Sequence, residues 1–383
     1  MSSPSPAVNP SPAPPLWNTP PVARGGGGVF AAIGIVVAAI VGLLVFAYLV
    51  AGLGPSSLAI GSVLALVPLI IVLLTVRWVD RWEPEPRWAL WFAFLWGAGV
   101  SVAIALVVDL GVQLAIAFAE PGVGPNEAVQ AVVQAPIVEE TAKGVGVLLL
   151  YAFSRSHFDG PVDGLVYAAT IAAGFAFTEN ILYFGVALAE GGAGELGATF
   201  VMRGLFSPFA HVLFTVCIGL CVGIGARRGG GAGVVGWFLL GLLGAVLLHA
   251  FWNGSLAFAT DAIGLYFTVQ VPIFVGAILI TWFLRREETR VTRTRLAEYG
   301  AAGWFSPAEV EMLATPGGRR QAVAWARAQT PPRTATMRRF ITDATHLAFT
   351  RQRLVTRRDA GRAAVDEPAL LAAVAAGRAA LMR

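Results

Sequence analysis

Charge is scarce in this chain: 13% of its 383 residues are Asp, Glu, Lys or Arg, about half the share of a soluble domain. With 56% of the residues apolar, that scarcity argues against a water-soluble globule. Cysteine is nearly absent. Cys217 and Cys221 stand four residues apart in an apolar stretch, side by side on one helix face, which excludes a disulfide framework. They read as small buried residues, with a soft-metal pair as the alternative. No internal repeat and no glycine-rich phosphate motif is present; Gly229 to Gly231 come after Arg227 and Arg228 without a preceding strand and read as a turn. Residues 1–28 lack the early basic and apolar regions of a signal peptide. Rich in Pro and Ser and ending in Gly25 to Gly28, they are expected to form a disordered cytosolic leader.

What the sequence does contain is long apolar runs. Stretches near 29–53, 57–76, 88–118, 128–153, 163–188, 203–225, 233–259 and 264–284 each approach or exceed the roughly 20 residues that cross a bilayer. An all-α, polytopic bundle of about eight transmembrane helices is expected over 29–284. The segments after the second, fourth, sixth and eighth runs hold Arg77, Arg81 and Arg87, then Arg155, then Arg227 and Arg228, then Arg285 and Arg286. The alternate segments are almost free of Lys and Arg, so the positive-inside rule predicts a multi-pass protein of the cell membrane with both termini cytoplasmic. Arg203 is the exception, expected to snorkel to the outer interface.

Residues 285–383 hold 18 Arg and 9 acidic side chains, a net +9, against −5 for the remainder. This basic tail suits the cytosol or an anionic leaflet rather than nucleic acid. Ser306, Pro307 and Glu309 predict a capped helix start. Periodic apolar residues predict helices near 335–357 and 367–382, with Pro316, Pro331 and Pro332 dividing the segment.

Ionisable residues within the apolar runs need a reason, because each costs about 2.5–3.5 kcal/mol at the bilayer centre. Asp109 stands alone and reads as a structural residue. In the fourth run, Lys143 comes four residues after Glu139 and three after Glu140, so in a helix it reaches either carboxylate but neutralises only one. The other must pair elsewhere, stay protonated or act as a base. Pro136, one turn earlier, is expected to free a backbone carbonyl. The fifth run carries Glu179 and Asn180, the sixth His211 and Thr215, the seventh His249 and Asn253. Counted from the outer helix ends at 1.5 Å per residue, Glu139, Glu140, Glu179, His211 and His249 lie roughly 12–18 Å deep. Four helices of alternating direction thus deliver ionisable groups to one layer, which predicts a single intramembrane polar site. Carboxylate and imidazole are the ligand types of a hydrolytic zinc site with a separate Glu base; a proton or ion pathway draws on the same types.

The ordered motifs Glu139-Glu140-x-x-Lys143, Gly174-Phe175-Ala176-x-x-Glu179-Asn180, His211-x-x-x-Thr215 and His249-x-x-Trp252-Asn253 resemble those of the PrsW family of intramembrane metalloproteases. Asp80-Arg81-Trp82-Glu83-Pro84-Glu85-Pro86 resembles that family too, and the likeness extends over about 77–284. The wider relatives are the CAAX prenyl endopeptidases, where a His stands in the place of Glu179. The resemblance implies peptide-bond hydrolysis of a membrane-anchored protein such as an anti-sigma factor. It implies that Glu139 or Glu140 activates water, Lys143 tunes that pair, and His211, His249 and Glu179 hold zinc. Asn180 and Asn253 would orient ligands or the scissile carbonyl. A metal-independent variant would have Glu and His activate water, with His249 and Asn253 as an oxyanion hole. A proton-coupled transporter built on the same Glu/His cluster is the alternative from a different class; the lack of an internal repeat counts against it. A catalytically dead relative that binds membrane partners is a third.

Overall fold

The computed structural model describes residues 27–383 apart from 156, 157, 159, 229–232, 259, 358 and 359. The leader up to residue 26 and the turn at Gly229 to Gly231 therefore lie outside the described residues, while Gly27 and Gly28 already belong to the first helix. Among the described residues all regular structure is helical.

Helix α1 (Gly27–Val79) has 53 residues, about 80 Å if straight and more than twice a hydrocarbon core. It reverses at Gly54, whose φ of 76° is open to glycine and strained for most other residues. Before the break Gly34 lies against Phe92, Gly42 against Gly99 and Leu53 against Gly185; after it Gly61 lies against Ile181 and Gly185, and Val79 packs with Val162. The two halves thus run antiparallel. Helix α2 (Arg87–Leu95), a π-helical turn at Trp96–Ser101 and α3 (Val102–Ala119) form the third pass. The short α4 (Glu127–Val129), capped by Asn126, leads through a π-helical turn at Gln130–Gln134 into α5 (Ala135–Phe153). Helix α6 (Pro161–Thr199) breaks at Gly192, and the π-helical segment Phe200–Phe206 folds back so that Phe200 meets Phe184 with ring centroids 5.7 Å apart. Helices α7 (Ala210–Arg227), α8 (Gly233–Phe258), α9 (Ala262–Leu265) and, after a π-helical turn at Tyr266–Gln270, α10 (Val271–Ala301) follow, and among the described residues five helical stretches are long and apolar enough to cross a membrane.

The Ala- and Gly-rich α6 is the hub, packed on α1, α2 and α7. Gly164 of α6 faces Gly219 of α7 so closely that a Cβ on either would strike the other's carbonyl oxygen; small residues permit this approach where no hydrophobic force draws helices together. The periphery is apolar and open, with Val107 68% and Ile278 67% exposed, as lipid-facing side chains are. At one end the arginines lie over aromatic rings: Arg285 over Trp78, Arg286 over Trp282, Arg228 over Trp237 and Arg155 over Tyr151. This is the interfacial belt of a bilayer protein.

Helix α10 crosses residue 285 without a break, so the polar segment begins inside a helix. It packs with α11 (Pro307–Leu313), α12 (Pro316–Ala328), α13 (Thr334–Val355) and α14 (Ala360–Met382) around Leu296, Leu313, Leu347 and Val374. The expected capping box of Ser306 and Glu309 is present. Pro316 divides α11 from α12 as expected, and does so by opening α12, where a first-turn proline loses no helical hydrogen bond; Thr315 caps that helix by accepting from the N–H of Gly318 at 3.1 Å. Helix α14 starts seven residues ahead of the expected 367. The bundle docks on the α1–α2 connection: the indole N–H of Trp82 donates to Thr292 at 3.1 Å, and the guanidinium of Arg319 lies 3.4 Å over the Trp82 ring while donating to the Trp82 carbonyl at 3.0 Å.

Candidate functional site

The π-helical turn before α5 sets the site. There the N–H of Ala135 bonds five residues back, to the Gln130 carbonyl. Pro136, next in that register, has no N–H to offer Ala131. The carbonyl of Ala131 is met instead by Nδ2 of Asn253, 2.8 Å away on α8. The carbonyl freed by Pro136 therefore ties the turn before α5 to α8, about two helical turns ahead of the glutamates.

Further along α5, Glu140 and Lys143 are wholly buried. Lys143 Nζ donates to Glu140 Oε1 at 2.5 Å, Thr215 Oγ1 donates to Glu140 Oε2 at 2.8 Å, and Nδ1 of His249 lies 3.0 Å from Oε1. Three elements thus converge on one carboxylate. Since an ionised carboxylate only accepts, the Nδ1 of His249 is the donor in this contact. Phe214 stacks on the His249 ring with centroids 4.5 Å apart. Glu139 differs: Lys143 Nζ is 3.6 Å away, and the buried Oε2 has no hydrogen-bond partner. That carboxylate lines a cavity of about 160 Å³, room for several waters. Glu179, Asn180, His211, His249 and Asn253 line the same cavity; Glu140 and Lys143 do not.

His211 stands between two charges. Its Nε2 is 2.7 Å from Glu179 Oε2, and its Nδ1 is 3.4 Å from Lys143 Nζ. Lys143 also lies 4.2 Å over the ring of Phe175. Glu139, Glu140, His211 and His249 each offer a ligand atom within 4.8 Å of the others. By donor type and closeness this set could hold a metal ion. The family resemblance implied that Glu179 joins the two histidines around such an ion; in the fold Glu179 is not among those four residues, and its Oε2 lies against His211 Nε2.

Arg203 does not snorkel to the interface. Its Nη2 donates to Glu179 Oε2 at 2.6 Å, its Nε donates to Asn180 Oδ1 at 3.0 Å, and its guanidinium lies 3.9 Å over Tyr183. A buried carboxylate and amide on the facing arm of the α6 hairpin hold it more strongly than headgroups would. It is the residue that sequence reasoning missed, and the signal was its isolation as the one basic side chain at an end carrying Glu120, Glu127, Glu190, Glu195 and Asp261. Asp109 lies outside the site and accepts from the amides of Gln113, Gln130 and Gln134, as a structural residue would. Cys217 and Cys221 are free thiols.

The profile of the PrsW family intramembrane metalloproteases matches residues 85–277, half of the chain. The chain is 31% identical to "Protease PrsW" of Geobacillus kaustophilus (strain HTA426) over 144 residues, 38% of this chain and 57% of that protein. It is 31% identical to "Protease PrsW" of Clostridioides difficile (strain 630) over 157 residues, 41% and 62% of the two chains. With "Protease PrsW" of Bacillus subtilis (strain 168) it shares 29% identity over 161 residues, 42% and 66% of the two. The chain thus spans less than two thirds of the length of these curated relatives. No solved structure matches it.

Proposed function

The chain belongs to the PrsW family of intramembrane metalloproteases, and on that premise we propose that it hydrolyses a peptide bond of a membrane-anchored protein, with Glu139 as the base that activates water. The observation that carries this reading is that Glu139, whose Oε2 has no hydrogen-bond partner, lines a cavity together with His211 and His249. A desolvated carboxylate with a free lone pair, beside room for water, is equipped to take a proton. Glu140 has no such freedom: Lys143, Thr215 and His249 occupy it. In this reading Glu140 anchors Lys143 and fixes the ring of His249, while Lys143 holds positive charge near Glu139 as its proton load changes. Asn180 and Asn253 border the cavity and position the scissile segment through their amides.

Of the four residues whose ligand atoms converge, His211, His249 and Glu140 would hold a zinc ion and leave Glu139 as the base. When bound, such an ion polarises a carbonyl and lowers the pKa of a water. The ammonium of Lys143 already sits among these donors, so an ion there competes with it for Glu140. The arginine belt supports cytoplasmic termini in the cell membrane, with the site opening towards the outer half of the bilayer and the tail in the cytosol. The family resemblance makes a membrane-anchored anti-sigma factor the substrate of choice. The test is to label new protein N-termini in membranes of cells producing the wild type or Glu139→Gln at equal levels. Termini that appear only with the wild type support the reading. Identical sets in both refute it, and proton flux in proteoliposomes without peptide product would favour a transporter.

A further inference from the structure

The guanidinium of Arg203 occupies an unusual place. It sits on the π-helical segment Phe200–Phe206 that continues α6 beyond the break at Gly192, and it is the end of an unbroken chain of contacts into the site. Nη2 of Arg203 donates to Glu179 Oε2 at 2.6 Å, and that same oxygen lies 2.7 Å from His211 Nε2. Nε of Arg203 donates to Asn180 Oδ1 at 3.0 Å, so one planar fork grips two adjacent residues of α6. The guanidinium face rests on Tyr183, one turn further on. Side-chain exposures of 27%, 15% and 12% for Arg203, Glu179 and His211 show the series running inward from the cavity mouth.

From this geometry we propose that Arg203 is a positioning residue, acting through Glu179 to fix the proton of His211 on Nε2 and leave Nδ1 as the acceptor that faces Lys143 and the converged donors. The chemistry is specific. An ionised Glu179 accepts only, so Nε2 must carry hydrogen; Lys143 Nζ, 3.4 Å from Nδ1, requires a lone pair there. Without the guanidinium, Glu179 Oε2 and Asn180 Oδ1 lose the donors that hold them, and the carboxylate is free to turn away from His211 Nε2 and no longer dictates the tautomer. A lysine cannot replace the fork, because a single ammonium does not span Glu179 and Asn180 with the same planar geometry. The carboxylate behind an imidazole is the usual device for orienting a ligating or proton-carrying histidine; here the device has a third member, supplied by the hairpin between α6 and α7.

The kinetic part of this inference rests on the hydrolase reading; the spectroscopic part does not. The protein would be labelled with ¹³C,¹⁵N-histidine, purified in detergent with a chelator, and studied by NMR at about pH 8, where an unperturbed imidazole is neutral. The His211 signal is identified by its loss in His211→Gln. The wild type is expected to hold His211 as the Nε2–H tautomer. Arg203→Gln should give a mixture of tautomers, and Arg203→Lys an intermediate population. His211 as Nδ1–H in the wild type, or the same tautomer in all three proteins, overturns the proposal. If Arg203→Gln does not fold, Arg203→Lys decides: an unchanged tautomer there overturns it. On a membrane protein identified by the terminus labelling, Arg203→Gln should lower kcat about 10- to 100-fold with KM nearly unchanged, and Arg203→Lys should restore part of the loss. A rise in KM at unchanged kcat would instead make Arg203 a substrate contact and refute positioning. Absence of any cleavage by the wild type would count against the hydrolase reading alone and leave the tautomer result standing.

Discussion

Replacing Glu140 with Gln should destabilise the protein far more than the same change at its neighbour Glu139. Glu140 is wholly buried and receives Lys143 at 2.5 Å, Thr215 at 2.8 Å and His249 at 3.0 Å. Removing one partner of a buried ion pair costs about 3–5 kcal/mol, because the other charge is left uncompensated. The Gln carbonyl still accepts from Lys143 or Thr215, which places Glu140→Gln at the lower end, about 3 kcal/mol. Glu139 makes no hydrogen bond through Oε2 and stands 3.6 Å from Lys143, so Glu139→Gln should stay within about 1 kcal/mol of the wild type. Removing both members of the tight pair, in Glu140→Gln with Lys143→Met, should recover part of the loss, with a coupling of about 0.5–3 kcal/mol. The assay is unfolding by SDS in mixed micelles, monitored by tryptophan fluorescence with a chelator present. If Glu139→Gln proved the more destabilising change, or the double variant fell as far as the two single losses combined, the division into an anchoring and a reactive carboxylate would be wrong.

Two further outcomes are expected. Protein purified without chelators should hold close to one zinc per chain by elemental analysis, and His211→Ala and His249→Ala should each lose it; wild-type protein free of metal would leave Glu139 and the imidazoles to act alone. In the α1–α2 connection, burial raises the Asp80 carboxyl from 3.8 to about 7, against the lowering effect of the Glu85 N–H that donates to it. The folded state therefore favours the protonated form, so this stability is complete below about pH 4 and is lost as pH rises through about 7. Asp80→Asn keeps an acceptor for the Glu85 N–H and should flatten the fall in thermal stability between about pH 5 and pH 8. An unchanged slope would show that Asp80 is not its source.

Much of this architecture was legible without coordinates because bilayer physics acts on one dimension of the chain. Eight apolar runs and the arginines between them suffice for an all-α membrane bundle, since length and hydropathy decide what can cross a hydrocarbon layer. Depth was legible too: counting residues from the helix ends put Glu139, Glu140, Glu179, His211 and His249 in one layer, and the fold brings ligand atoms of all but Glu179 within 4.8 Å of one another, with Glu179 against His211. Proline chemistry anticipated the carbonyl that Asn253 meets. The same chemistry placed the division at Pro316, which stands between α11 and α12.

Azimuth is what the sequence could not supply. Glu139 and Glu140 point about 100° apart on α5, and periodicity alone does not say which faces the cavity. The packing of α5 between α7 and α8 decides it, by putting Thr215 and His249 around Glu140 and leaving Glu139 at the cavity wall. Arg203 was likewise visible only as a lone cation near a membrane edge. The reversal at Gly192 and the turn Phe200–Phe206 bring it back onto Glu179, 24 residues earlier in the chain. Composition and period determine which residues enter the membrane and how deep they sit. Which of them touch depends on helix rotation and on chain reversals, and those are set by close packing between segments distant in sequence.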